Sequence, residues 1–322
     1  MAINPKFQRQ YEWSRKLAKE PAGDNYKALL NTLYYVYPIA FEKPDFQEEI
    51  RKKYAPHITK FDLFSLNMAR LFRRSDAIKI AICCMPKSGS TYLLTSLKRV
   101  KELDFQTIYL QTPYMNIDFI EALSREHEVD ELSLLIHEMR GFNWVSHMHT
   151  KWTPYTEKIF KANKIKPVVT FRNIFDCLVS MDDMLMSGEV AGFPMIRLPG
   201  NYRRLAEAER LAFLTDYVGS WYLDYVVSWS RAGLDTLKLH YEDDILGFDL
   251  STATKIRDFI GKDLSLDTII DAFQLTDEKA KKSARVNKGI SGRGEKIPEA
   301  ARDRLKGLTW PYRDEVDFSK VL

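Results

Sequence analysis

A lysine, a glycine and three hydroxyl residues share one short segment, Met85-Pro86-Lys87-Ser88-Gly89-Ser90-Thr91. An apolar run of strand length, Ala77 to Met85, precedes it, and a helical pattern from Tyr92 to Val100 follows. A loop in that position turns free backbone N–H groups and the positive end of a helix dipole toward one spot, which suits a phosphate. Gly89 lets the backbone approach closely. Ser88, Ser90 and Thr91 add hydroxyl donors, and Lys87 adds a mobile positive charge. The order is not that of a Walker A loop, because Gly-x-x-x-x-Gly-Lys-Ser/Thr is absent.

A second cluster begins at Arg172, directly after the apolar run Pro167-Val168-Val169-Thr170-Phe171. Ligands of open α/β sheets bind at the C-terminal ends of strands, and a guanidinium there can grip a phosphate bidentately. Ser180 lies on the helical pattern just beyond. Two such devices on two strand-to-helix turns suit a ligand with phosphates at two places. Candidate bases stand in Val145-Ser146-His147-Met148-His149-Thr150. On a strand His147 and His149 face the same side, so both can line one pocket. His57, His127, His137 and His240 have no comparable context. No His/Cys/Asp spacing suggests a metal, and Asp182-Asp183 reads as a solvated helix face.

These residues carry a family resemblance. Pro86-Lys87-Ser88-Gly89-Ser90-Thr91 resembles the 5′-phosphosulfate loop of sulfotransferases that use 3′-phosphoadenosine-5′-phosphosulfate (PAPS). Arg172-Asn173 through Asp176 to Ser180 resembles that family's 3′-phosphate motif. Asn287-Lys288-Gly289-Ile290-Ser291-Gly292-Arg293-Gly294 is similar to its C-terminal Arg-Lys-Gly-x-x-Gly motif, with Asn287 in place of the usual arginine. That departure shifts the expected phosphate contacts toward Lys288, Arg293 or Arg285. By the same resemblance Tyr92 stands where many members have Trp and stacks on adenine. Tyr241, in Tyr241-Glu242-Asp243, lines the nucleotide site. His149 is the base, with His147 its neighbour and rival. The resemblance implies in-line sulfuryl transfer to an acceptor hydroxyl, with Lys87 neutralising the leaving phosphate, 3′,5′-ADP as product and no metal.

The elements that must hold these groups follow from periodicity. Apolar runs at 77–85, 142–147, 167–171 and 235–240 alternate with helical segments, which predicts an α/β fold with a P-loop-type central parallel sheet flanked by helices. Residues 1–75 read as a helical N-terminal extension carrying Tyr34, Tyr35, Tyr37 and Phe41, and residues 76–322 as the α/β domain. The longest helical pattern, 205–231, has Leu211, Leu214, Val218, Trp221, Tyr222, Tyr225 and Trp229 on one stripe and reads as core. Methionines 181, 184, 186 and 195, with Gly188 and Gly192, suit an adaptable apolar lid over a small-molecule alcohol or phenol. A saccharide and a hydroxyacyl chain tethered to an acyl carrier protein are the alternative acceptors.

The chain has 322 residues, is 45% hydrophobic and 29% charged, and carries a net charge of +4, values of a globular protein with no nucleic-acid coat. Ten Lys/Arg against three acids fall between Lys279 and Lys306, more than the whole excess. That placement suits a lid over a small anionic ligand, with Arg302 to Lys306 read as a solvated basic helix. No apolar stretch reaches the roughly 18 residues of a membrane span, and no signal-peptide core appears. Three cysteines, two of them adjacent, point to a reduced and cytoplasmic setting. The expected partner is a small-molecule acceptor rather than nucleic acid or membrane, with a homodimer as a further candidate assembly. A P-loop nucleotide kinase needs the missing Walker order. A non-catalytic nucleotide-binding protein would show damage at Lys87 or the histidines, and both are intact.

Overall fold

The computed structural model describes residues 76–108, 142–187, 198–261, 264–274 and 290–322, with isolated positions between them. The chain divides between Arg74 and Ser75 into two units, and nearly all of the described residues belong to the second. The helical reading of 1–75, with its aromatic cluster, lies outside the described residues. So do Asn287, Lys288, Gly289 and the Gly-containing half of the methionine segment.

Five parallel strands form one sheet in the order β2-β3-β1-β4-β5. They are β1 (Lys79–Cys84), β2 (Gln106–Ile108), β3 (Trp144–Met148), β4 (Lys166–Phe171) and β5 (Leu237–His240). Seven helices accompany them among the described residues: α1 (Ser90–Arg99), α2 (Pro154–Asn163), α3 (Ile174–Ser187), α4 (Glu207–Ser230), α5 (Leu250–Ile260), α6 (Leu266–Phe273) and α7 (Glu299–Gly307). The α/β sheet expected from the alternating pattern is therefore present. β2, three residues long, was not in that reading.

β1 is central and buried along its whole length, as the unbroken run Lys-Ile-Ala-Ile-Cys-Cys requires of a strand covered on both faces. Lys79 remains buried by donating its ammonium to the carbonyl of Asn163 at 3.1 Å. Ile80, Ile82 and Cys84 pack with Leu93 and Leu97 of α1, Ile256 of α5 and Ile269 of α6 in one core. Side chains alternate along a strand, so Ala81 and Cys83 face the opposite layer. There α4 presents the aromatic stripe read from the sequence: Trp221, Tyr222, Tyr225 and Trp229 are all buried.

The parallel pairing sets the register of the chemistry. β1 pairs with β3 so that Cys83 lies opposite Met148, and with β4 so that Cys84 lies opposite Thr170. The C-terminal ends of β1, β3 and β4 thus come level, carrying the lysine loop, the histidines and Arg172. No helix among the described residues is long and apolar enough to cross a membrane.

Candidate active site

The loop after β1 is built to turn sharply. Lys87 has φ of 67° and Gly89, the residue before α1, has φ of 82°. Glycine is required at 89 for a second reason. A Cβ there would lie 2.9 Å from the ring of Tyr241, which packs directly on the backbone. Ser88 is fully buried and its hydroxyl turns into the sheet, donating to the carbonyl of Met85 at 2.6 Å and meeting the hydroxyl of Thr170 at 2.5 Å. The hydroxyl expected from the sequence as a ligand donor at Ser88 instead braces the loop. Ser90 and Thr91 open α1. Ser90 meets Nε2 of His147 at 2.9 Å, and Thr91 is half-buried. Tyr92 is half-buried, with its hydroxyl donating to the carbonyl of Phe273 at 2.5 Å, which fixes the ring against α6.

Two tyrosines of α4 hold this loop from below. Tyr222 donates to the carbonyl of Pro86 at 2.9 Å, and Tyr225 donates to that of Cys83 at 2.7 Å. Trp229 donates from its indole to Thr150 at 3.0 Å, just past the histidines. The stripe read as core packing therefore also fixes three backbone carbonyls of the candidate site. A stripe of aromatics at helical spacing carried the signal for burial, but not for these bonds.

Arg172 leaves β4 and is buried among polar partners. Its guanidinium donates to the carbonyls of Lys87 at 2.8 Å and Ile290 at 3.1 Å, and lies 4.0 Å from the centre of the Tyr241 ring. Nε is buried without a hydrogen-bond partner among the described residues, and the nearest carboxylate, Glu242, is 4.0 Å away. Burial pushes the Tyr241 phenol up, with Arg172 pulling the other way. Ser180 is buried on α3, one helix turn beyond Asp176.

Asp176 has a part that the sequence did not suggest. Its carboxylate accepts the backbone N–H of Gly292 at 2.9 Å and of Gly294 at 2.7 Å, tying the C-terminal segment to the start of α3. Arg293, between them, is buried and pairs with Asp183 at 2.7 Å. Asp182 is buried as well, gripped by Arg210 at 2.8 and 3.0 Å and by the hydroxyl of Tyr202 at 2.8 Å. The reading of Asp182-Asp183 as a solvated helix face is thus corrected: both carboxylates are counter-charges to arginines. Within the described part of the basic segment, Lys296 pairs with Glu207 and Arg304 with Asp216, each at 2.9 Å.

Lys87 points its ammonium toward the sulfur of Met184 on α3, 3.7 Å away. His149 lies across the sheet end. Its Nδ1 is 3.1 Å from the carbonyl oxygen of Cys84 and 3.2 Å from the Cys84 sulfur. A carbonyl only accepts, so a ring hydrogen on Nδ1 can be donated to Cys84, and in that tautomer the lone pair is on Nε2. The His147 and His149 rings are 5.3 Å apart, edge to face. Burial pushes the Cys84 thiol up to about 12, against a hydrogen bond from Ser90. Cys84, His147 and His149 each offer a ligand atom, all within 4.8 Å of one another. The sequence, read by spacing, showed no such set, because Cys84 and His149 stand 65 positions apart.

A cavity of about 470 Å³ opens nearby, lined by Asn173, His240, Glu242, Arg302 and Lys306 among others. Asn173, Asp176, Ser291, Gly292 and Gly294, from the two segments that resemble the 3′-phosphate motifs, also line it, whereas Lys87, Arg172 and the two histidines do not.

The sulfotransferase-domain family model matches residues 77–310. No curated protein sequence matches the chain. Among solved structures, mouse sulfotransferase SULT7A1 complexed with PAP is similar with a TM-score of 0.53 and 16% identity, covering 77% of this chain and 88% of that one. Retinol dehydratase in complex with androsterone and the inactive cofactor PAP gives a TM-score of 0.47 and 15% identity, over 79% of this chain and 87% of that one. At 16% identity the likeness to the mouse enzyme is one of fold. The family match spans most of the described unit, including the lysine loop, the histidine strand and Arg172, so the chain belongs to the PAPS-dependent sulfotransferase family.

Proposed function

We propose that this sulfotransferase moves the sulfuryl group of PAPS to the hydroxyl of a small-molecule alcohol or phenol, with His149 as the base. PAPS supplies the electrophilic sulfur and, as 3′,5′-ADP, the leaving group. One observation carries the assignment of the base. His149 Nδ1 lies 3.1 Å from the carbonyl oxygen of Cys84, and the tautomer that donates its Nδ1 hydrogen there has a lone pair on Nε2 to accept a proton.

The remaining roles follow from charge and placement. Lys87, Ser90, Thr91 and the N–H groups at the start of α1 bind the phosphosulfate end. As the new oxygen–sulfur bond forms and the old one breaks, Lys87 neutralises charge growing on the departing phosphate oxygen. The acceptor's proton goes to His149. Arg172 and Ser180 bind the 3′-phosphate, together with Lys288 and Arg293 in the segment that also contains Asn287 and Gly289. The Nε of Arg172, a buried donor with no hydrogen-bond partner among the described residues, supports an anion there. Tyr92 and Tyr241 flank the loop on which the nucleotide lies.

The thioether of Met184 beside the ammonium of Lys87 supports an apolar acceptor at the reacting end. All three cysteines are free and buried, which supports a reducing, cytoplasmic location. The test is transfer from labelled PAPS to a panel of phenols, alcohols, saccharides and carrier-tethered hydroxyacyl chains. Label on phenols or alcohols is expected. Label confined to saccharides or carrier-bound chains replaces the acceptor class, and failure to bind 3′,5′-ADP by calorimetry removes the whole reading.

A further inference from the structure

The proposed base belongs to a set of three groups, two of which sulfuryl transfer does not require. Cys84 ends β1, and His147 and His149 share one face of β3 and its extension. One donor atom from each falls within 4.8 Å of the others. The Cys84 sulfur and His149 Nδ1 are already 3.2 Å apart. Two nitrogens and a sulfur held by a tetrahedral zinc ion at about 2.0–2.3 Å lie roughly 3.3–3.6 Å from one another. Closing the set onto an ion therefore needs side-chain shifts of about 1 Å or less at these bond lengths.

The setting suits a metal as well as the spacing does. Cys84 is fully buried in a strand whose backbone is locked by pairing on both sides, so its sulfur is fixed in place. The two histidines are half-buried rather than sealed in the core. Ser90 supplies a hydroxyl against His147 Nε2 at 2.9 Å. A thiolate with two imidazoles is a donor set for a borderline ion such as Zn²⁺, not for Mg²⁺ or Ca²⁺, which prefer oxygen.

We infer that Cys84, His147 and His149 form a binding site for one Zn²⁺-type cation. Binding replaces the thiol proton of Cys84, which leaves to solvent, with a metal–sulfur bond. It also takes the Nδ1 lone pair of His149, so the ring hydrogen moves to Nε2. An imidazole in that state cannot accept the proton of an acceptor hydroxyl. The site is therefore inhibitory toward the base. That consequence rests on the reading of His149 given above, whereas the binding itself does not.

Co²⁺ titration of the full-length protein tests the site directly, because a cobalt–thiolate bond gives a charge-transfer absorption in the near ultraviolet. One equivalent is expected to produce the band. Cys84→Ser should abolish it, and His147→Ala should weaken Co²⁺ affinity on the order of 10–100-fold, at least the loss seen for lesser contacts to metal sites. Thermal melts check that each variant folds, and Zn²⁺ should raise the melting temperature of the wild type but not of Cys84→Ser. A wild type without the band, or a band that survives in Cys84→Ala, overturns the site. Zn²⁺ should also suppress turnover in the wild type, with recovery on chelation. If Co²⁺ gives the thiolate band yet Zn²⁺ leaves turnover unchanged, the metal site stands and His149 loses its place as base.

Discussion

The hydroxyl of Tyr222 donates to the carbonyl of Pro86 at 2.9 Å, across 136 positions of the chain. Both residues are buried. Burial holds the phenol far above its ordinary range, so it stays protonated and remains a donor. The helix layer and the lysine loop are thereby joined at the point where the chain leaves β1, one residue before Lys87. Tyr225 repeats the arrangement at Cys83 with 2.7 Å.

Tyr222→Phe keeps the ring and removes only that donor, leaving the Pro86 carbonyl buried and unpaired. The loss should be about 1–3 kcal/mol in urea unfolding. The affinity for 3′,5′-ADP should fall with it, since the loop loses its fixed anchor. An unfolding midpoint equal to wild type would show that the loop is held by other means.

Those tyrosines show what the sequence made legible and what it hid. β1, its loop and α1 could be read because all their signals are local: a continuous apolar run, a Gly-containing turn and a helical period. The stripe on α4 could be read as buried for the same reason. Its hydroxyl partners could not, since Pro86 and Cys83 are reached only once α4 lies across the sheet. The meeting of Cys84 with His149 depends on the register that sets Cys83 opposite Met148, a property of strand pairing with no trace in either segment. Asp176 is a similar case. It lies within a recognisable motif, yet its work is done on the N–H groups of Gly292 and Gly294, 116 and 118 positions away.

Gly294 should be intolerant of any side chain. A Cβ there would lie 2.4 Å from the Cβ of Phe175 and 3.3 Å from its backbone carbon, on a segment pinned by Asp176. Gly294→Ala is expected to cost about 1–3 kcal/mol through overpacking, and to weaken 3′,5′-ADP binding by displacing Arg293 and its neighbours. Gly307→Ala, where nothing lies within 4 Å, is the control and should leave the unfolding midpoint near wild type. Equal behaviour of the two variants would rule out the packing account.

His149→Ala should lower turnover by about 10²–10⁴-fold, the usual share of a general base. Calorimetric affinity for 3′,5′-ADP should remain within a few-fold of wild type, because His149 touches Cys84 rather than the loop N–H groups. His147 hydrogen-bonds Ser90 at the start of α1, so His147→Ala should disturb nucleotide affinity more. Full turnover in His149→Ala, with loss only in His147→Ala, would transfer the role of base to the neighbouring ring.

His240 ends β5, stacked on Phe171 at 5.3 Å, and its Nδ1 is buried without a hydrogen-bond partner among the described residues. Burial lowers its affinity for a proton, helped by Lys320 and opposed by Asp244 and Asp243. A histidine whose folded value is depressed binds fewer protons folded than unfolded over the interval below the unfolded value of about 6.5. Its contribution to stability is therefore complete above that pH and is lost as pH falls toward the folded value. His240→Phe keeps the stack and cannot titrate. Urea midpoints measured from neutral pH downward should thus fall less steeply for His240→Phe than for wild type, with the two curves separating only below about 6.5. Parallel curves through that interval would mean that His240 takes up its proton equally well folded and unfolded, and that its burial has no energetic consequence.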